Sequence, residues 1–158
     1  MFCLNVTSLV EDLRALGFTN VTPRGNSPKV FDSYSWELGK LCLEKQEAKE
    51  LLQFDLAFLD GSHTFFHDAP ATALLKEMIR PGGTLLFDDY LWTLEGSPTM
   101  NPRVYPKTSE RYTDEQVRTA QVRIVCDLFM NRDPRFQKID IGYSSGKGEV
   151  RRAYKRLH

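Results

Sequence analysis

The chain has 158 residues, of which 41% are hydrophobic, and these values suit one domain with a buried core rather than a disordered segment. Its 21 Lys and Arg residues balance 21 Asp and Glu residues, which gives no indication of a nucleic-acid or membrane-surface partner. The three cysteines are far apart and form no C-x-x-C pair, which argues against a disulfide framework or a zinc site. No apolar run is long enough for a signal peptide or a membrane span, so a cytoplasmic protein is expected.

The first third of the chain predicts two helices separated by a short strand and a turn. Leucine and valine at helical spacing predict a helix over Ser8–Leu16, with Ser8 and Glu11 as a capping box. Residues 20–23 predict a strand and residues 24–27 a turn. A second helix is predicted from about residue 34 to residue 53, and its charged middle is typical of a solvated face.

The clearest pattern runs from Phe54 to Tyr90. The apolar run Phe54–Leu59 predicts a strand buried on both faces. A helix is predicted from Phe66 to Ile79, then a turn at residues 80–83, then a strand over Thr84–Phe87. Elements of these lengths predict a right-handed parallel strand–helix–strand unit.

The last third predicts a long loop, a helix and two strands. Residues 93–112 are polar and hold three prolines, which is typical of a binding loop or a disordered segment. Residues 113–130 predict an amphipathic helix with Thr113 as its N-cap. Strands are predicted at residues 136–143 and 150–157, and the short link between them predicts an antiparallel hairpin that closes the sheet.

Polar side chains follow each predicted strand of the α/β fold, at the edge of the sheet where such folds bind ligands. Residues 25–27 follow the first strand, Asp60 and His63 the second, and Asp88 and Asp89 the third. Each residue alone is most simply a turn or helix-cap residue. Together, neighbouring carboxylates repel each other unless a cation lies between them, which favours Mg²⁺ or a similar ion.

The segments FDLAFLDGSH and IRPGGTLLFDDY resemble the second half of a class I S-adenosylmethionine-dependent methyltransferase. The resemblance is strongest to the catechol-type O-methyltransferases and their bacterial small-molecule relatives, and it extends over about residues 13–157. It implies a Rossmann-like, doubly wound, mostly parallel sheet that ends in an antiparallel C-terminal hairpin. The first strand and the glycine-rich turn of that family are not found before Asp60, so residues 1–158 are expected to form one N-terminally truncated domain, with residues 93–112 as a substrate-side loop.

The resemblance also implies roles for individual residues. Asp60, Asp88 and Asp89 match the carboxylates that hold Mg²⁺ in the catechol-type enzymes, and His63 matches the general base, with Asp60 beside it. The turn near the adenine, which is usually Gly–Asp–Ala or Gly–Asp–Ser, is Gly25–Asn26–Ser27 here, and an amide can still hydrogen-bond the adenine amino group. The expected cofactor contacts are therefore Gly25, Asn26, Ser27 and Asp60.

Three hypotheses for the function stay open at this point. The first is methyl transfer from S-adenosylmethionine to a small-molecule acceptor, with a hydroxyl as the expected group and Mg²⁺ as an assisting ion. The second is a truncated or degenerate scaffold without catalysis, which works through its surface or as part of an oligomer. The third is a metal-dependent enzyme of another reaction class on the same fold, because fold does not determine function.

Overall fold

The computed structural model describes residues 6–25, 29, 32–50, 53–142 and 150–158. These residues fall into two compact units, Met1–Leu51 and Leu52–His158, and each is described by itself. The expectation of a single domain stays a prediction. Among the described residues, no helix is both long and apolar enough to cross a membrane.

The first unit contains helix α1, Val6–Ala15, and helix α2, Tyr34–Glu47. The helix predicted at Ser8–Leu16 is confirmed, but Ser8 lies inside α1 and is not its N-cap, so the predicted capping box is wrong. The strand predicted at residues 20–23 is also wrong, because these residues have no strand conformation in the structure. A strand requires a hydrogen-bonded neighbour, and the local sequence pattern cannot show whether one is present.

Helix α2 ends several residues before the predicted boundary. Lys49 takes a left-handed conformation with φ +55°, and its N–H donates to the Gln46 carbonyl at 3.0 Å. The Glu50 N–H donates to the Lys45 carbonyl at 2.9 Å. This pair of hydrogen bonds is the Schellman arrangement that closes a helix, here with lysine in the position that glycine usually occupies.

The second unit is built on a four-stranded sheet in the order β1-β2-β4-β3. Its strands are β1, Phe54–Leu59; β2, Ile79–Phe87; β3, Phe136–Ile139; and β4, Arg152–Arg156. Strand β1 pairs with β2 in parallel, and β4 pairs with both β2 and β3 in antiparallel orientation. The predicted α/β class, the parallel strand–helix–strand unit and the antiparallel C-terminal pair are therefore confirmed. The predicted burial of β1 on both faces is wrong, because Leu56 is 59% exposed and Phe58 is 47% exposed in this strand at the edge of the described sheet. The link predicted at residues 144–148 lies outside the described residues.

Helix α3, Phe65–Met78, connects β1 to β2 and packs against both strands. Three further helices follow: α4, Lys107–Arg111; α5, Asp114–Arg118; and α6, Gln121–Phe129. Helix α6 packs against α3. The core between sheet and helices includes fully buried apolar side chains from both layers: Ala71, Ile79, Leu85, Phe87, Val125, Cys126 and Tyr154.

The single helix predicted over residues 113–130 is two helices. Thr113 caps the first with a capping box, as predicted, and its hydroxyl accepts from the Gln116 N–H at 3.2 Å. Thr119 and Ala120 are extended and interrupt the helix. After the interruption the helix turns a different face to the core, where Cys126 is fully buried, while Ile124 is 44% exposed.

The turn predicted at residues 80–83 lies inside β2 as an irregularity of the strand. Phe54 pairs with Ile79 and Leu56 pairs with Thr84, so β2 has three extra residues at this point. Gly82 has φ +80°. A Cβ atom on Gly83 would lie 2.9 Å from both the Ile79 Cγ2 atom and the Phe54 carbonyl oxygen, so the close strand contact requires glycine.

We therefore expect Gly83→Ala to lower the free energy of unfolding by about 1–3 kcal/mol, because the added methyl group meets backbone atoms that cannot move independently of the sheet. Urea denaturation followed by circular dichroism measures the change. Gly39→Ala is the control, since nothing lies within 4 Å of a Cβ at Gly39 in helix α2. That control is expected to be neutral or stabilising. A Gly83→Ala variant as stable as the unmodified chain would contradict the close contact.

Candidate functional site

The ends of β1 and β2 lie at the same level of the sheet. Leu59 pairs with Phe87 in the last pair of the parallel register, and the Asp88 N–H donates to the Leu59 carbonyl at 3.1 Å. The residues that follow the two strands therefore begin side by side, as the sequence predicted. We call Asp60, His63, Asp88 and Asp89 the strand-end cluster.

His63 lies between two carboxylates of this cluster. Its Nε2 atom is 3.2 Å from Asp60 Oδ1, and its Nδ1 atom is 3.4 Å from Asp89 Oδ2. The Trp92 ring meets the imidazole edge-on, with the ring centroids 5.5 Å apart. The side chain of His63 is only 16% exposed, whereas that of Asp60 is 53% exposed. The imidazole is thus held in place, and Asp60 is open to solvent.

Two residues of the cluster have left-handed backbone conformations. His63 has φ +57° and Asp89 has φ +50°. Histidine and aspartate adopt this conformation more often than most residues other than glycine, but it still has a free-energy cost. Such conformations are concentrated at functional sites. Here they accompany the approach of the two side chains, which spacing along the sequence alone could not predict.

The turn before α3 is held by polar contacts. The Thr64 hydroxyl is 2.9 Å from the Ser62 hydroxyl and 2.9 Å from His67 Nδ1. The side-chain carbonyl of Gln121 accepts from the Phe65 N–H at 2.8 Å, so α6 supplies a partner for the first turn of α3. The sequence pattern did not indicate this role for Gln121, because a contact between separate helices leaves no local signal.

Arg151 is a further residue of the site that the sequence interpretation missed. Its Nε atom donates to Asp88 Oδ1 at 3.0 Å. The signal that could have found the pair is the strand register, because Phe87 pairs with Arg152 and the next positions outward are Asp88 and Arg151.

The predicted Mg²⁺ ligands do not face one common point. Asp88 is directed at Arg151, while Asp60 and Asp89 lie on opposite nitrogens of the His63 ring. Among the residues that the structure describes, no group of three or more His, Cys, Asp or Glu side chains is arranged to hold a metal ion. As placed, these carboxylates do not fit Mg²⁺, which needs oxygen ligands in near-octahedral geometry.

The predicted cofactor turn lies in the other unit. Gly25 belongs to Met1–Leu51 and has φ +72°, and Asn26 and Ser27 lie outside the described residues. Their role as cofactor contacts stays a prediction. The Arg24 guanidinium, just before Gly25, is paired with the Glu44 carboxylate of α2 at 2.8 Å.

The predicted substrate-side loop follows Trp92 directly and contains α4. Leu94 and Thr108 are buried, and the Ser97 hydroxyl accepts from the Met100 N–H at 3.0 Å. The Glu95 N–H donates to the Val117 carbonyl at 3.0 Å. Residues 93–112 are therefore anchored by their own buried side chains and by α5, while their role toward a substrate stays a prediction.

The electrostatics of the cluster centre on Asp89. Burial raises the pKa of the Asp89 carboxyl above its ordinary value, the nearby His63 lowers it, and the neighbouring carboxylates of Asp88 and Asp60 raise it. Arg151 also lowers it. The balance is an elevated pKa, so the folded chain holds a proton on Asp89 more tightly than the unfolded chain does.

Part of the chain, including this site, is similar to a known family of protein domains. A family model described as a methyltransferase domain matches residues 24–90. The match covers less than half of the chain and contains the whole strand-end cluster. Among solved structures, an O-methyltransferase from Bacillus cereus in complex with SAH matches with a TM-score of 0.44 and 16% sequence identity, over 77% of this chain and 48% of that chain. The chain thus spans about half the length of that structure. No match was found among curated proteins.

The elevated pKa of Asp89 has a measurable consequence for stability. Because the folded state favours the protonated carboxyl, stability falls as pH rises from the ordinary carboxyl pKa of about 4 through the folded value. Asp89→Asn removes this charge and keeps a residue that tolerates left-handed φ. Near pH 3.5, below the ordinary carboxyl pKa, we expect the melting temperature of Asp89→Asn to match that of the unmodified chain. Near neutral pH we expect it to be higher than that of the unmodified chain.

Thermal denaturation across this pH range measures the difference. Glu95→Gln, which makes the same charge change at an exposed position, is the matched control and should show little difference at any pH. A melting temperature for Asp89→Asn that stays below the unmodified value at neutral pH would show that the contact with His63 outweighs the cost of burying the charge.

Proposed function

We propose that the chain takes part in methyl transfer from S-adenosylmethionine to a hydroxyl group of a small molecule. The observation that supports this most is the placement of His63 between Asp60 and Asp89, at the carboxyl ends of two adjacent parallel strands. This edge is where α/β folds bind ligands. The same residues lie inside the segment that matches a methyltransferase domain.

In this proposal His63 is the general base and Asp89 orients it. In the structure Nε2 lies 3.2 Å from Asp60 Oδ1, and the exposed Asp60 side chain can turn away toward a ligand. The Asp89 carboxylate, 3.4 Å from Nδ1, then favours the tautomer in which Nδ1 carries the proton. Once Asp60 has turned, Nε2 is positioned to accept the proton of an acceptor hydroxyl, a role that contributes about 10²–10⁴-fold in rate.

Asp60 is the proposed cofactor contact in the second unit. The role of Gly25, Asn26 and Ser27 as cofactor contacts stays a prediction from the sequence. S-adenosylmethionine, when bound, would supply the methyl group on a positively charged sulfonium. The Asp60 carboxylate suits such a ligand, because it is exposed and carries the charge opposite to that of the sulfonium. Trp92, beside His63, is the proposed aromatic wall on the acceptor side. The proposed compartment is the cytoplasm.

We expect Asp60→Asn to weaken binding of S-adenosylmethionine by about 10–100-fold, because it removes the negative charge proposed to face the sulfonium, and a charge pair about 4 Å apart contributes about 1–4 kcal/mol near a protein surface. Isothermal titration calorimetry on the 158-residue chain measures the dissociation constant. Asp55→Asn is the matched control. Asp55 lies near the other end of β1, its side chain is 80% exposed, and it pairs with Arg80 rather than with the cluster.

The two variants make the same chemical change near opposite ends of β1, so a difference between them reflects the position of the aspartate. Equal weakening by Asp55→Asn and Asp60→Asn would indicate a general charge effect and would contradict the proposed contact. Failure of the unmodified chain to bind S-adenosylmethionine would contradict the proposed function itself and would favour a scaffold without catalysis.

A further inference from the structure

We propose that Arg151 is the built-in counter-cation of the strand-end cluster and that it excludes divalent metal ions from this site. The inference concerns the charge balance of the chain itself, so it holds whether or not methyl transfer is the reaction. If methyl transfer is the reaction, the acidic residues act in it without Mg²⁺.

The strand register places Arg151 opposite Asp88. Strands β2 and β4 pair in antiparallel orientation, with Phe87 opposite Arg152. Asp88 and Arg151 each lie one residue beyond this last pair, so the two side chains begin side by side at the end of the ladder, where opposite charges stabilise each other. A backbone hydrogen bond from the Tyr90 N–H to the Val150 carbonyl, at 2.8 Å, holds the two chain segments together just beyond them.

The contact between the two side chains is partly shielded from water. The side chain of Asp88 is 16% exposed and that of Arg151 is 34% exposed, with Arg151 Nε 3.0 Å from Asp88 Oδ1. On its other side, the guanidinium lies 5.4 Å from the centroid of the Phe58 ring, which is within the range of a cation–π contact. The aromatic ring and the carboxylate together hold the cation in one place.

A guanidinium at this place has two consequences for a metal ion. It occupies an oxygen of Asp88 that an ion would need as a ligand, and its charge repels a divalent cation at the neighbouring carboxylates. The remaining pair, Asp60 and Asp89, lies on opposite sides of the His63 ring.

The proposal is tested by titrating Mn²⁺, a spectroscopic stand-in for Mg²⁺, into the 158-residue chain and following free Mn²⁺ by electron paramagnetic resonance. The unmodified chain is expected to show no saturable binding below about 1 mM, the weak end of protein sites for hard divalent cations. Arg151→Gln, which removes the charge, is expected to bind one ion at least about tenfold more tightly. Adding Asp88→Asn to that variant should abolish the gain and so locate the ion.

Arg123→Gln is the matched control. It removes the same charge from helix α6, where Arg123 is 59% exposed and lies 3.6 Å from Asp127, so Mn²⁺ binding should stay as in the unmodified chain. If Arg151→Gln does not fold, Arg151→Met replaces it, since methionine keeps an apolar stem against Phe58. The proposal would be overturned if the unmodified chain bound one Mn²⁺ ion and Asp60→Asn or Asp89→Asn abolished that binding. So would a folded, uncharged Arg151 variant that binds no Mn²⁺.

Discussion

The parallel pairing of β1 with β2 is the constraint on which the rest of the site depends. Because Leu59 and Phe87 form the last pair, both strands end at one level and release their following residues at the same edge of the sheet. The hydrogen bond from Asp88 to Leu59 extends that alignment by one residue. The close approach of Gly83 to Phe54 near the other end of the pair shows how little room the register has to shift. A change in register would move Asp88 and Asp89, which follow β2, away from His63, which follows β1.

The C-terminal strand adds charge to this arrangement. Strand β4 pairs with β2 on the side away from β1 and so brings Arg151 to Asp88. The negative charge of the three carboxylates in the strand-end cluster is therefore partly balanced by Arg151 within the chain. This differs from a typical magnesium site, in which carboxylates and waters surround the ion directly. The family resemblance predicts the acidic residues of the site, whereas the segment before β4 supplies the arginine that partly balances their charge.

Much of the second unit could be predicted from the sequence, because its signals are local. The apolar run Phe54–Leu59 with Asp60 after it needs no tertiary information to be interpreted as a strand and a turn. The features that could not be predicted depend on distant partners: the helix break at Thr119 and Ala120, and the pairing of Arg151 with Asp88. The left-handed conformation of His63 could not be predicted either. The sequence places His63 after β1, but its backbone conformation is visible only in the structure.

A ligand site organised around His63 is tested most directly by nuclear magnetic resonance of the imidazole ¹H and ¹⁵N signals during titration with S-adenosylhomocysteine, the demethylated cofactor. The chain has three histidines. His158 lies two residues after Arg156, the end of β4 away from the cluster, and provides an internal reference. We expect the His63 ring signals to shift while those of His158 stay unchanged. Unchanged His63 signals at saturating ligand, or shifts confined to His158, would contradict a ligand site at His63.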